Sequence, residues 1–538
     1  MNRQLTGLCV AAALVLMGCG GQDDSGTANL SGQVSSMTTQ TPFNHFAASR
    51  FLEQASMGPS PASVAQVKVQ GPEAWITSQM RLPPTLIVTP ANIVEYDLNL
   101  DRAAGRRMQE HYEVSLNSLM IGAEDQLRVR TSWVLSNFLV VSTRKVQQFG
   151  ALEYMNILQT HAYGQYGDLL KAVTRNAAMG FYLDNGQNRR WQLNENYGRE
   201  LMQLFSVGLV QLNMNGSIKK DASGKALETY TQKDVIEATR ALTGWDYAEP
   251  NVRRMSSNGF NYAKPMTDEF RDAHDDGSKK VLGKTIPAGQ TATKDLDSLV
   301  EILVTHPNTA PFVSLRMIQG LTTSDPSPAY LERVATVFRD TKGNMGKVVT
   351  AILLDPEARY GDVVGRSSKG FGRIKEPFLL TMNVIRGLGC KSAVRDANDS
   401  REIWKNRNQR PFEAYSVFNF YPPNHRTQGT NVLAPEQKLL NSSEFGSRMW
   451  NNNNGMDSET MLINAGCDVN AFKAATATSD EALVELISQR FFRGAMPAAL
   501  SKSLIEVNKN LWQREQGLKL AASMLDMASL TPAFGVSK

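Results

Sequence analysis

Apolar residues recur at helical spacing along most of the 538-residue chain, and this period constrains the fold more than any other feature. Tyr197, Leu201, Leu204 and Phe205 stand at i, i+4, i+7 and i+8, with Gly208 on the same side, as in an amphipathic helix. Thr231-Gln232-Lys233-Asp234 has the form of a capping box, opening a helix that stops at Gly244. The same period predicts helices over 46–55, 63–66, 73–80, 124–142, 296–303, 310–322, 330–338, 345–354, 374–388, 480–491 and 501–527. Strand signals are short. Segments 209–213 and 225–230 can pair across the Asn215-Gly216 and Ser223-Gly224 turns, and 281–286 is a second candidate. The expected fold is mainly α, a multi-helix globular protein with a few short β-hairpins over 43–535. A subdivision near residue 290 is left open.

At the N-terminus, Leu16-Met17-Gly18-Cys19 closes an apolar run that begins near Leu8 and follows Arg3. About ten apolar residues is the length of a signal-peptide core, whereas a bilayer-spanning helix needs roughly 20. The tetrapeptide resembles the lipobox of bacterial lipoproteins. That resemblance implies a lipoprotein signal peptide over 1–18 and a diacylated Cys19 as the new N-terminus, holding the protein to a membrane outside the cytoplasm. Two acyl chains meet the two-signal requirement for stable anchoring. Residue 20 is Gly rather than Asp, which by analogy with Gram-negative sorting favours the outer membrane if the host is Gram-negative. The alternative is an ordinary secretory signal cut elsewhere. Residues 19–42, rich in Gly, Ser, Thr, Gln and Asp, read as a flexible tether.

Lys plus Arg number 57 against 52 Asp plus Glu, so charge makes no case for a nucleic-acid partner. The pairs Arg106-Arg107, Arg189-Arg190 and Arg253-Arg254 are scattered and read as solvated surface charge. Of four cysteines, Cys9 leaves with the signal and Cys19 takes the lipid. Cys390 and Cys467 are then a candidate disulfide in an oxidising compartment, or two separate buried thiols. No GxSxG, HExxH, phosphate-binding loop, CxxC pair or dinucleotide fingerprint occurs, and only six histidines are present. Cofactor and metal are left unassigned.

Three polar clusters remain. In Asn194-Glu195-Asn196-Tyr197-Gly198-Arg199-Glu200, helical spacing places Glu195 and Arg199 on one stripe opposite the apolar face. This is either part of a site or an exposed i, i+4 ion pair worth a few tenths of a kcal/mol. In His274-Asp275-Asp276-Gly277-Ser278-Lys279, a histidine beside carboxylates can be an oriented general base or a metal ligand. A lone histidine in a polar loop is more often structural or merely solvated. Asn213-Met214-Asn215-Gly216-Ser217-Ile218 lacks the acidic ligands of a calcium loop and reads as a turn.

Taken in order, longer segments carry a family resemblance: RFLEQASMGPS (50–60), LRVRTSWVLSNFLVVS (127–142), NENYGRELMQLFSVG (194–208), YTQKDVIEATRALTGW (230–245), HDDGSKKVLG (274–283), SPAYLERVATVF (327–338), KEPF (375–378), YPPN (421–424) and APEQ (434–437). The chain resembles the bacterial family filed as domain of unknown function 1800. The resemblance implies an exported, mostly helical protein, and a partner or shared pathway with the family of unknown function 1501. Carried over by position, it marks Asn194, Glu195, Asn196, Arg199 and Glu200, then Thr243, Gly244, Trp245, His274, Asp275, Gly277 and Lys279. One expectation is an envelope enzyme or ligand-binding protein. In it Glu195, Arg199, His274 and Asp275 are catalytic, with Asp275 orienting His274. Asn194, Asn196, Glu200, Trp245 and Lys279 bind substrate, Trp245 as an aromatic platform and Lys279 as an anion contact. The other expectation is a non-catalytic scaffold for export or surface-polymer assembly.

Overall fold

Polar side chains that cap helix starts set many of the element boundaries. Asn44, Ser60, Thr231, Thr291, Ser327, Asn344, Ser458 and Ser479 each accept a hydrogen bond from a backbone N–H in the first turn of the helix that follows. Ser60 and Thr231 complete full capping boxes. The computed structural model describes residues 43–89, 104–248, 261–269, 271–361, 371–393, 408–444, 446, 458–511 and 516–538. The signal segment 1–18, Cys19 and the tether lie outside these residues, as do Arg253-Arg254.

The first helices are α1 (His45–Ala55), α2 (Pro61–Arg81), α3 (Ala104–Gly122), α4 (Gln126–Phe138), α5 (Gln148–His161), α6 (Tyr166–Arg175) and α7 (Ala177–Tyr182). Then come α8 (Glu195–Gln203), α9 (Gln232–Ala241), the hairpin β1 (Lys279–Val281) and β2 (Lys284–Ile286), and α10 (Ala292–Thr305). Next are α11 (Thr309–Leu321), α12 (Pro328–Asp340), α13 (Met345–Leu354), α14 (Pro356–Tyr360), strand β3 (Arg373–Ile374) and α15 (Pro377–Gly387). The chain ends with α16 (Glu459–Asn464), α17 (Val469–Thr478), α18 (Asp480–Phe491), α19 (Ala498–Leu511), α20 (Gly517–Ser529), α21 (Pro532–Gly535) and β4 (Val536–Ser537). The fold is mainly α, with two small two-stranded sheets.

Helix α4 is buried along nearly its whole length and packs against α1, α2, α3, α5 and α11, so it forms the centre of the core. It is shorter than the 124–142 pattern suggested, because Leu139 turns out of the helical region at ψ 73°. The 374–388 pattern also divides. Ile374 pairs in β3, and the helix begins at Pro377, which needs no N–H in the first turn. The 501–527 pattern is two helices, α19 and α20. The expected 209–230 hairpin folds as three segments rather than two: Leu212 bridges Ile218, Lys220 bridges Ala226 and Val210 bridges Glu228.

Strand β3 pairs antiparallel with β4, Arg373 opposite Ser537. This joins the end of the chain to the segment leading into α15. Cys390, just beyond α15, is disulfide-bonded to Cys467, just before α17, across 77 residues of sequence. In the chain-entropy account a loop of that length contributes about 4 kcal/mol. Phe43–Lys538 forms one compact unit. Among the described residues no helix is long and apolar enough to cross a membrane.

Candidate functional site

Helices α8 and α9 cross where Gly198 meets Thr239; a Cβ at Gly198 would lie 2.6 Å from Thr239 Oγ1. Asn194 caps α8 by accepting from the Asn196 N–H, and its own N–H donates to Asn188 Oδ1. Glu195 Oε2 accepts from Arg199 Nη2 at 2.7 Å and from Gln232 Nε2 at 2.8 Å. Arg199 Nη2 also donates to Gln232 Oε1. The three side chains close a ring at the surface, with Glu195 and Arg199 about a third exposed. Asn196 donates to Asp184 and lies outside the ring. Glu200 is partly buried, and burial lifts its carboxyl above the usual carboxylate range, offset in part by Arg199.

His274 does not join this group. Glu195 binds Gln232 in the first turn of α9, whereas His274 lies against Thr243 just beyond its last turn. The ten-residue helix between them is roughly 15 Å long. His274 is 5 % exposed, and its Nδ1 lies 2.9 Å from the Thr243 carbonyl oxygen. That oxygen can only accept, so Nδ1 carries the proton. Its Nε2 stands 3.3 Å from Asp295 Oδ2. Gly244, at φ +88°, lets the chain pass this close: a Cβ there would sit 2.8 Å from His274 Cβ.

Three assigned roles change with this geometry. Asp275 does not orient His274; Arg240 grips its carboxylate at 2.8 and 3.0 Å, and Asp295 stands by the imidazole instead. Lys279 is not an anion contact, because it is fully buried and donates to Asp295 and the Asp275 carbonyl. Trp245 is no platform, being fully buried with Arg175 over its ring. Burial alone would raise the Asp275 and Asp295 carboxyls. The Arg240 hydrogen bonds on the first, and those of Lys279 and Gln290 on the second, outweigh it and lower both. These ion pairs clamp α9 to the β1–β2 hairpin and α10. Among the described residues, no three His, Cys, Asp or Glu side chains are grouped so as to hold a metal ion.

A different set of charged residues converges on an open cavity. A pocket of about 80 Å³, room for several water molecules, lies between α4, α11, β3, the start of α15 and the 417–436 segment. Glu376, at the N-cap of α15, is fully buried and accepts from Arg373 and from Gln409 Nε2. Glu436 accepts from the same Arg373 Nη2 at 3.2 Å and from Ser324 Oγ at 2.9 Å. Arg130 and Arg373 both donate to the Gly320 carbonyl. Arg373, Glu376, Glu436 and Tyr421 all line the pocket.

The two carboxyls have opposite proton affinities. Burial would raise Glu376, but the charge of Arg373, with Gln409 and Arg130, holds it below the usual carboxylate range. For Glu436 burial wins over Arg373 and the carboxyl is pushed up, helped by the negative Glu376. Burial and the neighbouring Arg373 bring Arg130 down to about 9. Arg130, Glu376, Tyr421 and Glu436 lie in segments that carried the resemblance (LRVRTSW, KEPF, YPPN, APEQ), and Arg373 stands two residues before KEPF. The available signal was charge beside proline in otherwise apolar surroundings, as in Lys375-Glu376-Pro377 and Pro435-Glu436.

No curated protein and no solved structure matches the chain. Residues 50–536, almost everything beyond the tether, match the model of the family described as protein of unknown function (DUF1800), and the chain belongs to that family.

Proposed function

We propose that this is a lipid-anchored protein of the bacterial cell envelope, and an enzyme whose proton-transfer chemistry is carried by Glu436 in the Arg373–Glu376 pocket. The observation behind this reading is a pair of buried carboxyls sharing one guanidinium at the base of a cavity, one holding its proton tightly and the other loosely. Such a split is how acid–base roles are divided within one site. Glu436 lines the cavity, and burial raises its carboxyl above the usual carboxylate range, the direction that general acid or base work requires. Arg373 supplies fixed positive charge where negative charge develops. Glu376, engaged by Arg373 and Gln409, is a positioning residue that holds Arg373.

The test compares wild type with Glu436→Gln on isolated envelopes of the host, with released small molecules read by mass spectrometry. Products made by wild type and missing with the variant support the reading; identical profiles from two folded proteins contradict it. The anchor is tested separately. Cys19→Ala is expected to move the protein from the membrane to the soluble fraction, and continued membrane retention would count against lipidation.

A second reading, a scaffold acting with a protein of the unknown function 1501 family, draws on exposed aromatic side chains near the pocket. Tyr415 is 66 % and Phe418 44 % exposed. In that case Glu436→Gln leaves partner capture unchanged.

A further inference from the structure

The pocket is polar at its base and apolar toward its mouth. Its charged lining residues Arg373, Glu376 and Glu436 are buried, whereas Phe138, Leu204, Phe312 and Val417 are partly exposed and Phe418 is exposed. Within this apolar ring stands one more cation, Arg316, on α11. It lies one turn before Gly320, so about 6 Å along the helix from the carbonyl that holds Arg130 and Arg373. Unlike Arg373, Arg316 faces no carboxylate among the described residues. Its single side-chain hydrogen bond there runs from Nη1 to Gln319 Oε1 at 2.9 Å, and its guanidinium lies over the Phe312 ring at 5.1 Å from the centroid. Burial alone, with no neighbouring charge, pulls it down to about 10.

The remaining donors of Arg316 are not sealed from solvent, so an incoming acceptor can take the place of water on them. Its planar fork matches a carboxylate. The apolar ring would at the same time cover a hydrocarbon body. One unpaired cation matches one negative charge, and the ionised Glu376 at the base disfavours a second. Resting on the acid–base reading of the same pocket, we infer that the site takes a monoanionic amphiphile, an alkyl or aryl carboxylate. Its carboxylate docks on Arg316, its apolar part lies against Phe312, Leu204 and Phe418, and its reacting end points toward Glu436.

The test is calorimetric binding of butanoate, hexanoate and octanoate to the full chain, beside methyl hexanoate as the uncharged control. Affinity should rise with chain length by up to about fourfold per methylene, and hexanoate should bind at least about tenfold more tightly than its ester. Arg316→Gln should remove the preference for acid over ester, and Arg316→Lys should restore part of it. Equal binding of acid and ester by wild type, or no binding of any carboxylate, would overturn the inference. That comparison needs no variant, so it stands even if Arg316→Gln fails to fold. The outcome is separable from the acid–base reading. Carboxylates that bind while Glu436 titrates as an ordinary glutamate overturn only that reading. A high-affinity proton on Glu436 with no carboxylate binding overturns only this one.

Discussion

Glu376 and Glu436 share Arg373 and respond to pH in opposite directions. Glu376 holds its proton more weakly in the folded chain than an unfolded glutamate at about 4.3. Its contribution to stability is therefore present above that value and is lost as pH falls through its lower folded value. Glu436 holds its proton more tightly. Its contribution is present below about pH 4.3 and is lost as pH rises through its raised folded value. Glu376→Gln, which leaves Arg373 without its fully buried partner, should cost about 3–5 kcal/mol at neutral pH. Glu436→Gln should cost little, and should gain on wild type as pH rises. Urea unfolding across a pH series measures both. Equal losses for the two variants, independent of pH, would contradict this division of labour.

Among the elements, helix periods and caps were the most legible part of the sequence. Thr231 caps α9 as its capping box implied, and α18 spans the residues that its apolar pattern marked. The Val281–Ile286 signal was a real hairpin, turning at Leu282-Gly283 with both residues at positive φ. Boundaries set by tertiary contacts could not be read. The two-residue β3–β4 pair depends on partners far away in sequence, and at the end of α4 the Asn137 carbonyl accepts from Asn419. The close crossing of α8 and α9 is another such feature, because it shows only as a glycine on a helix face. Gly198→Ala would press a methyl group onto Thr239, and overpacking of this kind costs about 1–3 kcal/mol. A melting temperature unchanged by that substitution would show that the crossing has slack.

Across the whole molecule, the sequence signalled where charges are concentrated more reliably than what they do. The His274 and Glu195 clusters are present, but one is a closed set of polar contacts around the buried Lys279–Asp295 ion pair and the other a surface ring. Their neighbours Asp295 and Gln232 were not read from local spacing. The Arg373–Glu376–Glu436 pocket was harder still, since its members come from segments more than 300 residues apart, from Arg130 to Glu436. Only the fold around α4 and α11 brings them together, with the β3–β4 pairing holding Arg373 in place. The proposed chemistry therefore depends most on the proton held by Glu436. The direct measurement is an infrared pH titration of the carboxyl C=O stretch in wild type and Glu436→Gln. Wild type should show a component with its midpoint above the ordinary glutamate value of about 4.3, and the variant should lack it. A wild-type titration finished by about pH 5, or the same high-midpoint component persisting in the variant, would contradict the account.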